Sequence, residues 1–198
     1  MSNRGAIVCS CLQWLAVDVN KRLPTTANHC QPLQTTAPPP ISAGIITISD
    51  RASAGIYEDH GGPALKKAAA DYGWKVIAEA VVPDDIGKIQ QAIRSFSAQG
   101  CGLILTTGGT GIAERDVTPE AIRGIARVEI PGFGEVMRAK SLAITPNAMI
   151  SRCLGAIVDT SLVLALPGKP SGAVECLGFV VGAIPHSVKL ALKVPTSC

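Results

Sequence analysis

The chain has 198 residues, a formal net charge of +3 and only 17% charged residues, so no single sign of charge dominates it. Only 4% of the residues are aromatic and no basic stripe is present, so nucleic acid is not expected as the main partner. The hydrophobic share of 47% suits one sizeable core, and no apolar run approaches the ~20 residues of a membrane span, so a soluble protein is expected.

Residues 1–41 differ in composition from the rest of the chain. They lack sustained periodicity, contain a single acidic residue and end in a proline run at 38–40 that favours polyproline II. We predict a disordered extension with a Pro-rich linker, and an organellar transit segment is the alternative. Residues 42–198 are predicted to form one folded domain. The location is expected to be cytoplasmic unless the first 41 residues direct the chain to an organelle.

The predicted elements from residue 42 onward alternate between strand and helix. The β-branched run "GIITIS" (44–49) predicts a strand, and "GPALKKAAADYG" (62–73) has apolar residues at helical spacing. "KVIAEAVV" (75–82) predicts a second strand, and "DDIGKIQQAIRSFSAQ" (84–99) predicts a second helix. The apolar stripe of that helix comprises Ile86, Ile89, Ile93 and Phe96.

The alternation continues to the end of the chain. "CGLILT" (101–106) predicts a third strand, and "TPEAIRGIA" (118–126) predicts a helix with Thr118 as its N-cap, followed by a proline. Residues 155–168 contain one or two further strands. Residues 171–193 predict an apolar helix that a proline interrupts.

This alternation predicts an α/β three-layer sandwich, in which helices cover both faces of a mostly parallel central sheet. The loops that leave the carboxyl ends of parallel strands meet at one edge and form the ligand crevice. Four loops of unusual composition are therefore expected to converge there: 49–53, 83–85, 106–111 and 166–172.

The loop "TTGGTG" (106–111) directly follows the third predicted strand. Its glycines allow positive φ and close backbone approach, so consecutive N–H groups can form an anion-binding nest, and its threonines add hydroxyl donors. Phosphate is the guest that such a nest suits. Neither a P-loop nor the glycine fingerprint of a dinucleotide fold occurs in the chain. The alternative is a plain tight turn, in which such clusters are also common.

Three aspartates, Asp50, Asp84 and Asp116, fall in these loops or just beyond them. Mg²⁺ in proteins uses one or two carboxylates and keeps water and substrate phosphates as its other ligands, so a metal–nucleotide site is predicted. Each aspartate also has a structural alternative. These are a helix N-cap for Asp84, an ion pair of Asp116 with Arg115 or Arg123, and a pair of Asp50 with Arg51.

The seven cysteines show neither a CxxC pair nor zinc-type spacing to the three histidines. We therefore predict free thiols in a reducing compartment. Cys101 and Cys153 lie beside apolar runs and are predicted to be buried. No histidine is assigned a role in the chemistry. The residues concerned are Cys9, Cys11, Cys30, Cys101, Cys153, Cys176, Cys198, His29, His60 and His186.

Five segments, taken together and in order, resemble one known family. They are "ITISDRASAGIYEDHGGPAL", "TTGGTGIAERDVTPEA", "IPGFGEVMR", "AMISR" and "LPGKPSGAVE". They are similar to the molybdopterin-binding fold of the molybdenum cofactor pathway, most closely to the molybdopterin adenylyltransferases. The similarity runs from Ser42 to the C-terminus, and residues 1–41 have no counterpart in the compact bacterial enzymes of that family.

The resemblance implies that the terminal phosphate of molybdopterin attacks the α-phosphate of Mg-ATP, giving adenylylated molybdopterin and pyrophosphate. It implies Asp84 and Asp116 as the catalytic residues and as ligands of Mg²⁺, with ATP as the co-substrate. It also implies a homotrimer that hands its product to a molybdenum insertase, with no nucleic acid or membrane as a partner. The implied substrate-binding residues are Ser49, Asp50, Arg51, Thr107, Gly108, Gly109, Thr110, Gly111, Thr118, Glu120, Pro131, Gly132, Phe133, Glu135, Ser151, Arg152, Pro167, Gly168, Lys169 and Pro170.

Two other functions are alternatives to this reaction. A metal insertase of the same fold would carry extra domains, for which a chain with one core has no room. A non-catalytic molybdopterin carrier or scaffold module is the second alternative, although pterin binding alone would not need two carboxylates near a polyanion. Structural alternatives to ligand contact are a turn for Pro131 and Gly132, solvent exposure for Glu135 and packing for Phe133.

Overall fold

Six strands form one sheet in the computed structural model, which describes residues 40–193. The strands are β1 (Ser42–Ile48), β2 (Lys75–Val82), β3 (Leu103–Thr107), β4 (Val128–Glu129), β5 (Leu154–Val158) and β6 (Ser161–Leu166). Their order across the sheet is β2-β1-β3-β6-β5-β4. Strands β1, β2, β3 and β6 run parallel, while β5 runs antiparallel to both β6 and β4. The prediction of a mostly parallel central sheet is confirmed.

The burial of each strand follows its place in the sheet. All residues of the central strands β3 and β6 are buried, because helices cover both of their faces. Strand β2 lies at one edge, and its residues alternate between exposed and half-buried. The predicted strand region 155–168 contains β5 and β6, which form a hairpin. Asp159 in its turn takes a positive φ of 49°, a conformation that Asp tolerates better than most residues.

Seven α-helices and two 3₁₀ turns complete the described residues. They are α1 (Asp50–Ser53), α2 (Gly61–Asp71), α3 (Ile86–Ala98), α4 (Thr118–Arg123), α5 (Pro131–Leu142), α6 (Pro170–Val180) and α7 (Ile184–Ala191), with 3₁₀ turns at Pro146–Ile150 and Val181–Ala183.

Two apolar layers hold these helices on the sheet. On one face Leu65 of α2, Met137 of α5 and Leu177 of α6 pack with alternate residues of β1, β3 and β6. On the other face Ile93 of α3 and Ile122 of α4 pack with the remaining strand residues. Full burial of a side chain of this size contributes ~1.5–3 kcal/mol, so the two layers supply most of the stabilisation. The three-layer sandwich predicted from the sequence is confirmed.

Three local predictions differ from the structure. Thr118 is not an N-cap, because helix α4 begins at Thr118 itself and its hydroxyl group bonds elsewhere. The cap of α3 is Asp85, whose side chain accepts a hydrogen bond from the amide of Lys88. Ile86 is 43% exposed, so the buried stripe of α3 begins one turn later than predicted, at Ile89.

Helix α5 is absent from the predicted elements. Pro131 and Gly132 form its first turn, in which proline is favoured because its fixed φ suits a helix start. The structural role suggested for these two residues as a turn is that of a helix start. Gly134 is required for packing, since a Cβ atom there would overlap the carbonyl oxygen of Cys153.

The helical segment Pro170–Ala191 has 22 residues and is apolar enough by length and composition to cross a membrane. The prediction that no run approaches this length is wrong. The segment is not one straight helix, because a 3₁₀ turn at Val181–Ala183 separates α6 from α7. Leu177 and Ile184 on either side of the turn are fully buried in the core. The core helix of a soluble protein passes the same test of length and composition.

The cysteine prediction is confirmed where the structure describes it. Cys101, Cys153 and Cys176 are buried and free. Burial is the main cause that raises the pKa of each of these thiols, so they remain neutral at neutral pH. The other four cysteines lie outside the described residues.

Candidate functional site

The loops that follow β1, β2, β3 and β6 meet at one edge of the sheet, as predicted. The amide of Ser49 donates to the carbonyl of Val82 at 2.9 Å, which joins the first two loops. The hydroxyl group of Thr107 donates to the carbonyl of Pro167 at 2.7 Å, which joins the last two. The four predicted loops therefore form one site.

The glycine loop, residues 107–111, lies at the centre of this site. Gly108 and Gly109 have positive φ values of 106° and 61°. A Cβ atom on Gly108 would overlap the carbonyl oxygen of Ile48, so the loop approaches β1 more closely than any other residue type permits. Thr118 holds the loop from the other side, with its hydroxyl group donating to the carbonyl of Gly108 at 2.8 Å.

Three successive amides of this loop have no acceptor in the described part of the chain. Within residues 40–193 the amides of Gly109, Thr110 and Gly111 donate to no acceptor of the protein. Successive free N–H groups beside residues of positive φ are the donors of an anion-binding nest. The geometry supports the prediction of a phosphate-binding loop over that of a plain turn.

Asp50 and Asp84 bond to each other's main chain. The amide of Asp50 donates to Oδ2 of Asp84 at 2.8 Å, and the amide of Asp84 donates to Oδ1 of Asp50 at 3.0 Å. Since Asp85 caps α3, the interpretation of Asp84 as the cap is wrong. Burial raises the pKa of the Asp84 carboxyl, and the nearby charges of Asp50 and Asp116 act in the same direction. The amide of Asp50 and the charge of Arg115 act in the opposite direction, so burial is the main cause of the raised pKa.

Asp116 is held by its own loop. Its Oδ2 accepts a hydrogen bond from the amide of Ala113 at 2.8 Å. Arg115 instead makes a two-pronged ion pair with Asp50, and its hydrogen bonds are the main cause that lowers the pKa of the Asp50 carboxyl. Arg123 pairs with Glu129. The ion pairs suggested for Asp116 with either arginine, and for Asp50 with Arg51, are therefore wrong.

Asp84 and Asp116 lie against the glycine loop. A Cβ atom on Gly109 would be 3.1 Å from Oδ1 of Asp84, and one on Gly111 would be 2.7 Å from Oδ2 of Asp116. Two carboxylates beside one loop suit a hard divalent cation such as Mg²⁺. Within the described residues no group of three or more His, Cys, Asp and Glu side chains could hold a metal ion. A cation here would thus need phosphate and water to complete its ligands.

The larger cavity at the site has a volume of 580 Å³ and extends from the glycine loop toward α5 and α6. Six of the predicted residues line it: Thr110, Gly111, Ser151, Pro167, Gly168 and Lys169. The sequence analysis missed Arg138, Ser141 and Asn147 in its wall. Arg138 was missed because α5 was not recognised as a helix that passes the site.

A smaller cavity of 310 Å³ lies on the other side of the glycine loop. Six of the residues predicted to bind substrate line it: Ser49, Arg51, Thr107, Gly108, Gly168 and Pro170. The guanidinium of Arg51 lies 5.2 Å from the ring centre of Tyr57.

Tyr57, Asp59 and His60 also line the smaller cavity and were not predicted. Asp59 accepts hydrogen bonds from the amides of Gly61 and Gly62 at the start of α2 and from the hydroxyl group of Thr47. The start of α2 is therefore occupied by a side chain of the protein. An acidic residue two positions before a helix that begins with two glycines was the signal for this cap.

Some predicted site residues line neither cavity. Pro131, Gly132 and Glu135 are exposed on α5. Phe133 is 6% exposed and packs in the core, as its structural alternative predicted. Glu120 forms an ion pair with Arg152 beside the glycine loop.

Comparison with known proteins identifies the family of this fold and site. A family model described as a probable molybdopterin binding domain matches residues 44–186. A molybdopterin adenylyltransferase of Helicobacter pylori (strain J99) is 41% identical over 155 residues, which cover 77% of this chain and 88% of that protein. Its counterpart in Escherichia coli (strain K12) is 44% identical over 144 residues, covering 71% of this chain and 73% of the relative.

A solved structure agrees with these sequence relatives. The crystal structure of the molybdopterin biosynthesis enzyme MoaB from Thermus thermophilus has a TM-score of 0.73 and 38% identity. The match covers 79% of this chain and 99% of that protein. Because the family model spans most of the described domain and the fold and loops agree with it, this chain belongs to the family of molybdopterin-binding domains.

Proposed function

We propose that the chain is a molybdopterin adenylyltransferase of molybdenum cofactor biosynthesis, which transfers AMP from Mg-ATP to the terminal phosphate of molybdopterin. The products are adenylyl-molybdopterin and pyrophosphate. One observation carries the proposal: Asp84 and Asp116 lie on a glycine loop whose amides at 109–111 are free to bind phosphate. Relatives that are 41% and 44% identical carry the same enzyme name.

In the proposed reaction, an oxygen of the molybdopterin phosphate forms a bond to the α-phosphorus of ATP. The bond from that phosphorus to the bridging oxygen breaks, and its electron pair leaves with pyrophosphate. The free amides of the glycine loop hold phosphate oxygens in place. Lys169 and Arg138 add positive charge at the larger cavity. Such fixed donors stabilise the charge of the transition state without having to reorient.

Asp84 and Asp116 are the residues that would hold Mg²⁺. Their carboxylate oxygens are the ligands that this ion prefers, and the phosphates of ATP and water would complete its shell. Bound Mg²⁺ supplies Lewis-acid stabilisation of the negative charge on the phosphate oxygens. The protein's own part is to keep both carboxylates beside the loop that binds the phosphates.

The deciding experiment incubates the purified full chain with molybdopterin, ATP and Mg²⁺ and follows pyrophosphate and adenylyl-molybdopterin. We expect one pyrophosphate for each molybdopterin adenylylated. A carrier or scaffold of the same fold would bind molybdopterin and release no pyrophosphate, and that result would overturn the proposal. Omission of molybdopterin is the control for ordinary ATP hydrolysis.

The proposal extends to assembly, for which the family resemblance is the support. We expect a homotrimer that passes its product to a molybdenum insertase. Several large apolar side chains are exposed and available for contact, among them Ile144 at 60% and Met149 at 73%. Light scattering at micromolar concentration tests the trimer, and a mass near the 20.4 kDa of one chain would contradict it.

The proposal also assigns residues 42–198 to the catalytic domain and residues 1–41 to an extension, of which folding should not need residues 1–39. The site of truncation matters, because Ile41 packs against the core and its carbonyl accepts a hydrogen bond from Lys75 at 2.9 Å. Deleting residues 1–39 should leave the melting temperature nearly unchanged. A loss of soluble expression would show that the extension belongs to the folded domain. The location of a fluorescent fusion of the full chain tests the expected cytoplasmic location, and accumulation in an organelle would contradict it.

A further inference from the structure

Arg152 lies between the 3₁₀ turn Pro146–Ile150 and strand β5, and its side chain bonds to the segment that follows the glycine loop and to helix α4. Its Nε donates to the carbonyl of Gly111 at 2.6 Å. Its Nη1 pairs with the carboxylate of Glu120, and its Nη2 donates to the main-chain carbonyl of Asp116. The side chain is 31% exposed. Each of the three guanidinium nitrogens therefore already has an acceptor within the protein.

The main chain of Arg152 contacts the same loop. Its amide donates to the carbonyl of Thr110 at 2.9 Å. One residue thus holds three carbonyl groups of the segment 110–116, at Thr110, Gly111 and Asp116. A planar guanidinium with donors in fixed directions is suited to bridging several acceptors at once.

The carbonyl of Thr110, which Arg152 holds, shares its peptide plane with the amide of Gly111, one of the ligand-binding donors in the proposed function. The amide of Thr110 belongs to the plane of the Gly109 carbonyl, which accepts a hydrogen bond from the amide of Thr118 at 3.1 Å. The carbonyl of Asp116 is attached to the residue whose carboxylate lies against Gly111. A rotation of these planes would move both the anion-binding donors and the carboxylate.

We propose that Arg152 is a positioning residue for adenylyl transfer, which acts through Asp116 and the glycine loop and does not bind the phosphate of molybdopterin. This inference rests on the proposed function. It replaces the expectation that Arg152 contacts substrate, which the family resemblance suggested. Glu120 takes part as the counter-charge that keeps the guanidinium in place.

The test compares Arg152→Gln with Arg152→Lys, using Arg123→Gln as the matched control. Arg123 is also paired with a glutamate, but at the surface and outside the site. We expect Arg152→Gln to lower kcat by roughly tenfold to a hundredfold, because small displacements of catalytic groups have large effects on rate. The Kd of molybdopterin, measured by fluorescence titration, should change by less than about twofold, since no direct contact is lost. Arg152→Lys should recover part of the rate.

A double-mutant cycle with Asp116→Asn identifies the route of the effect. If Arg152 acts through Asp116, Arg152→Gln should cost much less in the Asp116→Asn protein than in the parent, because interacting residues are not additive. Full additivity, together with a Kd for molybdopterin raised roughly tenfold or more, would make Arg152 a direct phosphate ligand and overturn the inference.

Hydrogen exchange of the ligand-free protein separates this inference from the proposed function. Arg152→Gln should speed the exchange of the hydrogen-bonded amides of Ala113, Asp116 and Thr118, while Arg123→Gln should not. If the parent protein releases no pyrophosphate, the proposed function fails, but the exchange rates still test whether Arg152 holds the segment 110–116. Unchanged exchange in Arg152→Gln would overturn the inference. Should Arg152→Gln fail to fold, Arg152→Lys and Glu120→Gln carry the same measurements.

Discussion

The two sides of the site differ in what their charged groups contact. On the side of the glycine loop, Arg115 is paired with Asp50 and Arg152 with Glu120, and Asp84 bonds to the main chain of its neighbour. On the side of the larger cavity, Lys169 is exposed and has no ion pair within residues 40–193, while the half-buried Arg138 donates from Nη1 to the carbonyl of Cys153 at 2.9 Å. One side is a frame whose charges hold the protein together, and the other leaves Lys169 available to a ligand.

This difference suits a reaction between two polyanions. Groups that are fixed before substrate arrives need no reordering at the transition state, which favours rate. Exposed cations without partners attract anionic ligands and can adjust to their shape. Substitutions on the frame should therefore change turnover or stability, while substitution of Lys169 should change binding.

The largest effect is expected for Asp116→Asn, which keeps the size of the side chain and removes the charge that would hold the metal. Turnover should fall roughly a hundredfold or more, because metal stabilisation of the transition state is worth several kcal/mol. Molybdopterin affinity should change little. The measurement is pyrophosphate release at saturating Mg²⁺ and ATP, with the exposed Asp71→Asn as the control. Turnover within about tenfold of the parent would remove Asp116 from the mechanism.

Asp84 and Asp85 are adjacent, and their variants separate catalysis from capping. Asp84→Asn should lower turnover by a similar factor without loss of stability, since the raised pKa of Asp84 means that its charge disfavours the folded state. Asp85→Ala should lower the free energy of unfolding by ~1 kcal/mol through loss of the cap and leave turnover unchanged. Denaturant unfolding and turnover are both measured for each variant. A loss of stability in Asp84→Asn with normal turnover, or a loss of turnover in Asp85→Ala, would contradict these roles.

Gly108→Ala tests how closely the frame is packed. The added Cβ atom would overlap the carbonyl oxygen of Ile48, and the φ of 106° is strained for any other residue. The free energy of unfolding should fall by about 2–3 kcal/mol or more. Gly132→Ala is the control, because a Cβ atom there has no neighbour within 4 Å. Equal stability of the two variants in urea would show that the loop can move away from β1.

Lys169→Gln tests the other side of the comparison. The side chain is exposed, forms no ion pair in the described part of the chain and lines the larger cavity. Its removal should raise the Kd of molybdopterin by roughly tenfold, the equivalent of ~1.4 kcal/mol for one charge-assisted contact. The melting temperature should not change. Lys67→Gln on the exposed face of α2 is the matched control, and an equal effect of both variants would indicate only a general loss of charge.

The fold was predictable because it depends on local patterns. Strand β2 has the bounds that its β-branched run predicted, and Ile89 and Ile93 are buried where the helical stripe placed them. The convergence of the loops followed from the alternation of strands and helices alone. Helix α5 was missed because its first turn contains Pro131, Gly132 and Gly134, which weaken the helical pattern, while Phe133 and Met137 still bury its face.

The partners of the charged residues were not predictable in the same way. Arg115 and Asp50 are 65 positions apart, so no local spacing relates them. The nearest oppositely charged neighbours, Arg51 and Arg115, were the natural candidates for Asp50 and Asp116, and neither pair forms as proposed. Asp84 and Asp85 are adjacent and of the same type, and Asp85 becomes the cap because it takes the extended N-cap conformation, with φ −129° and ψ 125°.

The smallest effect is expected for the Arg123–Glu129 ion pair, which is bonded internally like the frame but lies outside the site. Its two hydrogen bonds, of 2.9 and 3.0 Å, lower the pKa of the Glu129 carboxyl below its ordinary value of 4.5. A carboxyl with a lowered pKa stabilises the folded state above its unfolded pKa, and this contribution is lost as the pH falls through the folded value. At pH 7 the parent should therefore be more stable than Glu129→Gln, by less than about 1 kcal/mol because the pair is partly exposed. Below the ordinary value of 4.5 the difference in stability should shrink toward zero.

Thermal unfolding of the parent and of Glu129→Gln, from pH 7 down to the acid limit of reversibility, measures this difference in stability. Turnover at pH 7 should be the same for both proteins. A difference in stability that persists in acid would show that the ion pair is not its cause. A loss of turnover in Glu129→Gln would show that this pair belongs to the site.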